Sequence, residues 1–407
     1  MGHSLLNNAK ELAPDFANRA ADWDKARSYC WQNVQNMADA GLMGMTIPKA
    51  FGGRGASYLE TVLVIEEIAR ACTLSARILV EANMGAISAV MSYGTDTQKR
   101  FCAPHVLTGD KPAICITEPD AGSAATDMQT TARKHGDTYI LNGTKHWITG
   151  GGVSKLHLIF ARVIGEDGHD EGIGGFILLA DPASPPDGFT IVRHERTMGL
   201  CGMPEAELRF DDLEIHEKWL LQPPSGLKRG FADLMNAYNS QRVGAGTVAM
   251  GVAAGALDHA KRYLLDRHQF GRPLAEFQGL QWMVADMDTQ VHAARLMLHD
   301  AARSSDPFPD MTKAARAKLF ASEMAIKVVN DALQMFGARG YSDAEPLERM
   351  YRDVRMFTIG GGTAQILRTQ VAGSVLGIKT PQTREGNAAM GTALPVAANI
   401  PPDMAAE

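Results

Sequence analysis

Tyr139-Ile140-Leu141-Asn142-Gly143-Thr144-Lys145-His146-Trp147-Ile148-Thr149 is a β-rich stretch in a chain that reads as helical for long distances on either side. Asn-Gly readily takes the positive φ angles of a type I′ turn, so the stretch is expected to fold as a hairpin closed at Asn142-Gly143. Leu156–Val163, Gly175–Leu179, Phe189–Val192 and Ala206–Phe210 are further strand candidates. Their spacing fits a β domain of roughly 110 residues, placed at 114–224.

Upstream, residues 5–110 carry helical patterning. In Tyr58–Cys72 the apolar Leu59, Val62, Ile65, Ile68, Ala69 and Cys72 recur at steps of three and four, which makes one buried face. The stretch 48–55, with Gly52-Gly53 inside it, interrupts that pattern as a loop does. From about Gly226 the helical period returns and runs to about Leu376, with Ala314–Phe336 free of internal Gly or Pro and stopped at Gly337. The chain thus divides into helical 1–113, β 114–224 and helical 225–379, and the Ala-, Pro- and Gly-rich 380–407 is expected to be a mobile tail.

The 407 residues are long enough for several domains, and a net charge of −6 with both signs interspersed leaves no basic stripe for nucleic acid. No apolar run approaches the roughly 20 residues that span a bilayer. The N-terminus lacks the basic-then-apolar layout of a secretory signal, so a cytoplasmic protein is expected. Five scattered cysteines without a C-x-x-C read as reduced and structural, and 12 histidines without an H-E-x-x-H pair make a metal site improbable.

Four motifs carry chemistry. Cys115-Ile116-Thr117-Glu118-Pro119-Asp120-Ala121-Gly122-Ser123 joins small residues that allow close backbone approach to hydroxyl donors, though taken alone it is equally a turn. Trp147 and Thr149, two apart on a strand, share one face. Arg267-His268-Gln269-Phe270-Gly271-Arg272, followed by Gln278, offers a planar guanidinium fork for phosphate oxygens. Arg352-Asp353 leads, after six residues, to Gly360-Gly361-Gly362-Thr363-Ala364-Gln365-Ile366. In this order the four resemble the acyl-CoA dehydrogenase family over nearly all of residues 5–378.

That resemblance implies an α+β multidomain protein: an N-terminal α-helical domain, a middle β-barrel-like domain and a C-terminal four-helix-bundle domain. It implies FAD as cofactor, with Ile114, Ile116, Thr117, Gly122, Ser123, Trp147 and Thr149 around the flavin and pyrophosphate. Arg267, Gln269, Phe270 and Gln278 would reach FAD across a subunit boundary, and Gln334, Gly337, Thr363 and Gln365 would complete the adenosine and flavin contacts. A shared cofactor implies at least a dimer, commonly a homotetramer. Ser123, Tyr238, Arg242 and Gly361 fall at the family's acyl-CoA-binding positions.

The departures are as informative as the matches. Gly361 stands where the family's catalytic glutamate removes the α-proton, and Gln241 stands at the alternative glutamate position just before Arg242. An amide cannot take up that proton at neutral pH. Arg77 lies on a helix that in the family lines an apolar acyl pocket; either Glu81, one turn on, neutralises it, or the substrate carries an anion there. Together these features look like the branch of the family that cleaves 3-sulfinopropanoyl-CoA with water to propanoyl-CoA and sulfite, with Arg77 and Gln241 as catalytic residues. A dehydrogenase using another base, such as Glu81, and a non-catalytic acyl-CoA-binding flavoprotein stay open beside it.

Overall fold

The computed structural model describes residues 4–378 and 380. Beyond Thr380, the expected tail lies outside the described residues. Six helices open the chain: Leu5–Ala26, Trp31–Asp39, Tyr58–Ala71, Thr73–Asn83, Ala86–Tyr93 and Asp96–Leu107. Ser57 and Thr95 start two of them with reciprocal caps, each hydroxyl accepting from the backbone three residues on while Glu60 or Gln98 accepts from the cap backbone. Thr73–Tyr93 is the exception to the expectation of short apolar runs: it is 21 residues long and apolar enough to cross a membrane, but 94% of its richest window is buried inside the protein. It is core, and it carries Arg77 and Glu81 there.

The middle of the chain forms an eight-stranded sheet in the order Phe189–Glu195, Glu205–His216, Thr138–Thr149, Thr131–His135, Leu156–Ile164, Asp170–Leu179 and Leu220–Leu221, with Ala113–Cys115 pairing parallel to Leu156–Ile164. Asn142-Gly143 does not turn the chain. Thr138–Thr149 is one continuous strand, and the reversal occurs earlier, at Gly136-Asp137. Gly143 instead uses its φ of +148° at a register shift against Glu205–His216, beside Thr130, where any Cβ would collide. The Asn142 side chain bridges to Asp212 on that neighbour in both directions, at 2.9 Å each. The positive φ that a turn needs serves a bulge equally well.

Glu118 anchors the Cys115–Ser123 segment. Its carboxylate accepts from buried Lys145 at 2.8 Å and from the backbone of Gln129 and Thr130, while Glu118 and Ala121 exchange backbone hydrogen bonds across a tight turn. The turn reading and the motif reading of this segment therefore coexist.

Helix Gly230–Asp266, 37 residues long, packs against Gln278–Arg303 and Met311–Phe336, and Ala364–Leu376 closes the C-terminal helices. Its small residues let the N-terminal helices come close: Gly251 and Gly255 lie against Ala69 and the backbone of Glu66 and Arg70, where a Cβ would clash. Arg352 locks the two ends of the chain together by bonding Asp24 at 2.6 Å and Glu348 at 2.8 Å.

Candidate active site

A cavity of about 790 Å³ opens where the sheet, helix Thr73–Asn83, helix Gly230–Asp266 and the Gly360–Gly362 loop meet. Arg77 lies in its wall, buried, with one terminal nitrogen 2.7 Å from Glu81. Among the described residues its Nε has no partner. Lys111 takes the other Glu81 oxygen and also donates to the Thr149 carbonyl at 3.0 Å. Both Glu81 oxygens are thus held by cations, so the carboxylate is engaged rather than poised to accept a substrate proton. Arg77 is paired with Glu81 and lines the cavity as well.

Helix Gly230–Asp266 contributes Tyr238, Gln241 and Arg242 to the same wall. Gln241 Oε1 is buried without a hydrogen-bond partner among the described residues and lies against Gly85, whose φ is +70°. Arg242 donates to Asn239 at 2.8 Å and to the Gly361 carbonyl at 3.4 Å, and its guanidinium sits 5.9 Å from the Tyr238 ring centre. Burial pushes its pKa below the ordinary arginine value.

The Gly360–Gly362 loop runs with φ of +74° at Gly361 and +93° at Gly362. A Cβ built at Gly361 would have only Lys318 Cε for company, at 4.0 Å. There is room for a side chain here, and the chain supplies none. Lys318, fully buried on helix Met311–Phe336, donates to the Gly362 carbonyl at 2.7 Å. Burial, with the nearby charges of Arg242 and Arg77, pushes its pKa down to about 7. A lysine at the same helical phase as the buried Ala314, Ala321 and Ala325 is the sequence signal that marks it.

From the sheet side, Ile114, Ile116, Thr117, Gly122, Ser123, Trp147 and Thr149 all border the cavity. Trp147 takes a left-handed φ of 57°, stacks on His146 and leaves 53% of its surface exposed. Thr126 Oγ1, on the same wall, is buried without a partner among the described residues. An exposed aromatic ring and an unpartnered hydroxyl bordering one cavity suit a planar, hydrogen-bonding ring system such as a flavin. Glu205 is a charged cavity residue that the motifs did not point to: it pairs in register with Thr149, whose Oγ1 lies 2.9 Å from both of its carboxylate oxygens.

Of the remaining sequence candidates, Thr363 borders the cavity and caps helix Ala364–Leu376 through Ile366 N at 3.2 Å. Arg267, Gln269, Phe270, Gln278, Gln334, Gly337 and Gln365 do not border it; all are exposed on the single chain. Phe270 tips a small two-stranded arm, His268–Gln269 with Arg272–Pro273, and is 93% exposed. Away from the cavity, His146, Glu195 and Glu207 cluster closely enough for a metal, yet Arg193 already bonds both glutamates, at 2.8 and 2.7 Å. All five cysteines are free thiols.

Comparison with known proteins matches three consecutive family descriptions: acyl-CoA dehydrogenase N-terminal domain over residues 4–110, middle domain over 113–213 and C-terminal domain over 228–376. A 3-sulfinopropanoyl-CoA desulfinase of Variovorax paradoxus is 61% identical over 383 residues, covering 94% of this chain and 96% of its own. Another, from Cupriavidus necator, is 59% identical over 392 residues, covering 94% and 99%. Among solved structures, butyryl-CoA dehydrogenase from Megasphaera elsdenii superposes with a TM-score of 0.84 at 30% identity, covering 92% of this chain and 99% of that one. The chain belongs to the acyl-CoA dehydrogenase family.

Proposed function

We propose that this protein binds FAD and 3-sulfinopropanoyl-CoA and cleaves the carbon–sulfur bond with water, giving propanoyl-CoA and sulfite. One observation carries the reading. Both positions where the family resemblance places a proton-abstracting glutamate hold Gly361 and Gln241, while the buried cation Arg77 lines the same cavity. The 61% and 59% identical relatives named for this reaction support it. The overall change is redox-neutral: the hydroxyl of water ends on sulfur and a proton ends on carbon, so no oxidant is consumed.

In this reading Arg77 binds the sulfinate oxygens through a charge-assisted contact, held in place from behind by Glu81. Arg242 and the Gln241 amide face the thioester end. Ile114, Ile116, Thr117, Gly122, Ser123, Trp147, Thr149 and Thr363 hold FAD, which when bound supplies the family's hydride-accepting ring and here chiefly a wall of the acyl pocket. Arg267, Gln269, Phe270 and Gln278 act on FAD across subunits of a homotetramer in the cytoplasm, and Gln334, Gly337 and Gln365 complete the adenosine and flavin contacts. A dehydrogenase using Glu81 as base is disfavoured because Arg77 and Lys111 occupy both of its oxygens.

Incubation of the FAD-loaded protein with 3-sulfinopropanoyl-CoA tests the reading. Free sulfite and propanoyl-CoA should appear in equal amounts. Enoyl-CoA formation with no sulfite would overturn it.

A further inference from the structure

Glu205 is the first residue of strand Glu205–His216, between Thr149 on one neighbouring strand and Glu195 on the other. Glu195 is taken up by Arg193 and His146, at 2.8 and 2.9 Å. Glu205 is not: its hydrogen-bonding partner is the single hydroxyl of Thr149, and among the described residues no cation lies within ion-pair distance of it. It is half-buried because it borders the cavity that holds Arg77, Gln241 and Tyr238. The charged groups that bear on it are Arg77 and Glu81 on helix Thr73–Asn83 and Lys111 just before strand Ala113–Cys115. The fields of Arg77, Arg242, Glu81 and Glu205 converge in turn on Tyr238.

Two carboxylates therefore face one cavity in opposite situations. Glu81 is clamped by two cations; Glu205 is desolvated and answered by one neutral donor. We infer that Glu205 is the proton donor of this site, delivering its proton to the carbon that loses the sulfinate, an assignment that rests on the desulfination reading above. As the carbon–sulfur bond breaks, its electron pair takes up the proton of Glu205 to form the new carbon–hydrogen bond, and sulfur leaves as sulfur dioxide. Water adds to sulfur dioxide to give hydrogen sulfite, and the proton released in that addition returns to the carboxylate. Arg77 would hold the sulfur end while Glu205 approaches from the sheet side.

Burial pushes the Glu205 carboxyl up to about 7 against the opposing pull of Arg77, so a large share of the side chain carries its proton near neutrality. Only that protonated form can donate. Turnover should therefore fall as pH rises past about 7, and a bound sulfinate anion would shift the fall further alkaline.

The test uses the FAD-loaded protein, wild type beside Glu205→Gln and Glu205→Asp, with sulfite release followed between about pH 6 and 9. Glu205→Gln should lower kcat about 10²–10⁴-fold with little change in KM or FAD content, and should lose the alkaline fall; Glu205→Asp should recover part of the rate together with that fall. A Gln variant that keeps the wild-type rate and pH profile overturns the assignment. A pH-independent wild-type rate overturns it too, even if the Gln variant does not fold. A wild-type protein that releases no sulfite instead removes the desulfination reading beneath it, which is a different and recognisable result.

Discussion

Gly85 shows how narrowly the site is set at the scale of single residues. A Cβ there would strike Gln241 Oε1, and its φ of +70° is one that side chains resist. Gly85→Ala should destabilise the protein by more than about 1 kcal/mol and displace the Gln241 amide, giving a lower melting temperature and weaker sulfite release in parallel. Arg77→Lys keeps the charge but loses the planar fork. Turnover should drop by about tenfold or more, the loss of a charge-assisted bond worth roughly 1.5–3 kcal/mol, while FAD absorbance and melting stay near wild type; unchanged sulfite release would remove Arg77 from the substrate. Gln241→Glu would place a carboxylate where Gln241 now faces the cavity, and a little flavin bleaching by butanoyl-CoA is the expected gain. The missing glutamates were legible in the sequence because motifs flank them on both sides. Glu205 was not, since one glutamate at a strand start carries no spacing signal and acquires meaning only when Thr149 comes alongside.

At the scale of elements, Asn142-Gly143 marks where local reading stops. The dipeptide reports a positive φ, and whether that φ closes a turn or kinks a strand is decided by what pairs alongside, here Thr131–His135 and Glu205–His216. Helices were more legible: Tyr58–Ala71 and Met311–Phe336 follow their apolar period because one face of each meets the core. The link between the Cys115–Ser123 turn and the sheet is the buried Glu118–Lys145 pair. Burial pushes the Glu118 carboxyl up, but Lys145 and the backbone donors more than offset it, leaving the pKa below the ordinary 4.5. A depressed carboxylate contributes stability above its unfolded pKa and loses it as pH falls through the folded value, so this pair should fail below 4.5. Glu118→Gln should cost about 3–5 kcal/mol at neutral pH by stranding Lys145, and melting curves should show a shallower acid limb with reduced FAD retention. A variant as stable as wild type at pH 7 would show that the pair does not hold the turn.

At the scale of the whole molecule, the helix–sheet–helix order was readable because the sequence changes its period at each transition. Of the residues expected to hold FAD, those on the sheet side gather around the cavity within one chain, while Arg267 and Phe270 stand on an exposed arm. Arg267→Ala should weaken FAD binding by roughly 1.5–3 kcal/mol, about 10- to 100-fold, seen as loss of yellow colour on dialysis and in FAD titration. If retention is unchanged, the arm serves another role.

The proposed desulfination rests on a dehydrogenase fold that lacks a glutamate at both base positions and carries Arg77 as an anion anchor. It is tested most directly by mixing the FAD-loaded protein anaerobically with butanoyl-CoA and, separately, with 3-sulfinopropanoyl-CoA while recording flavin absorbance and free sulfite. The flavin should stay oxidised with both thioesters and sulfite should appear with the second alone; rapid bleaching by butanoyl-CoA would reveal a working base and contradict the account.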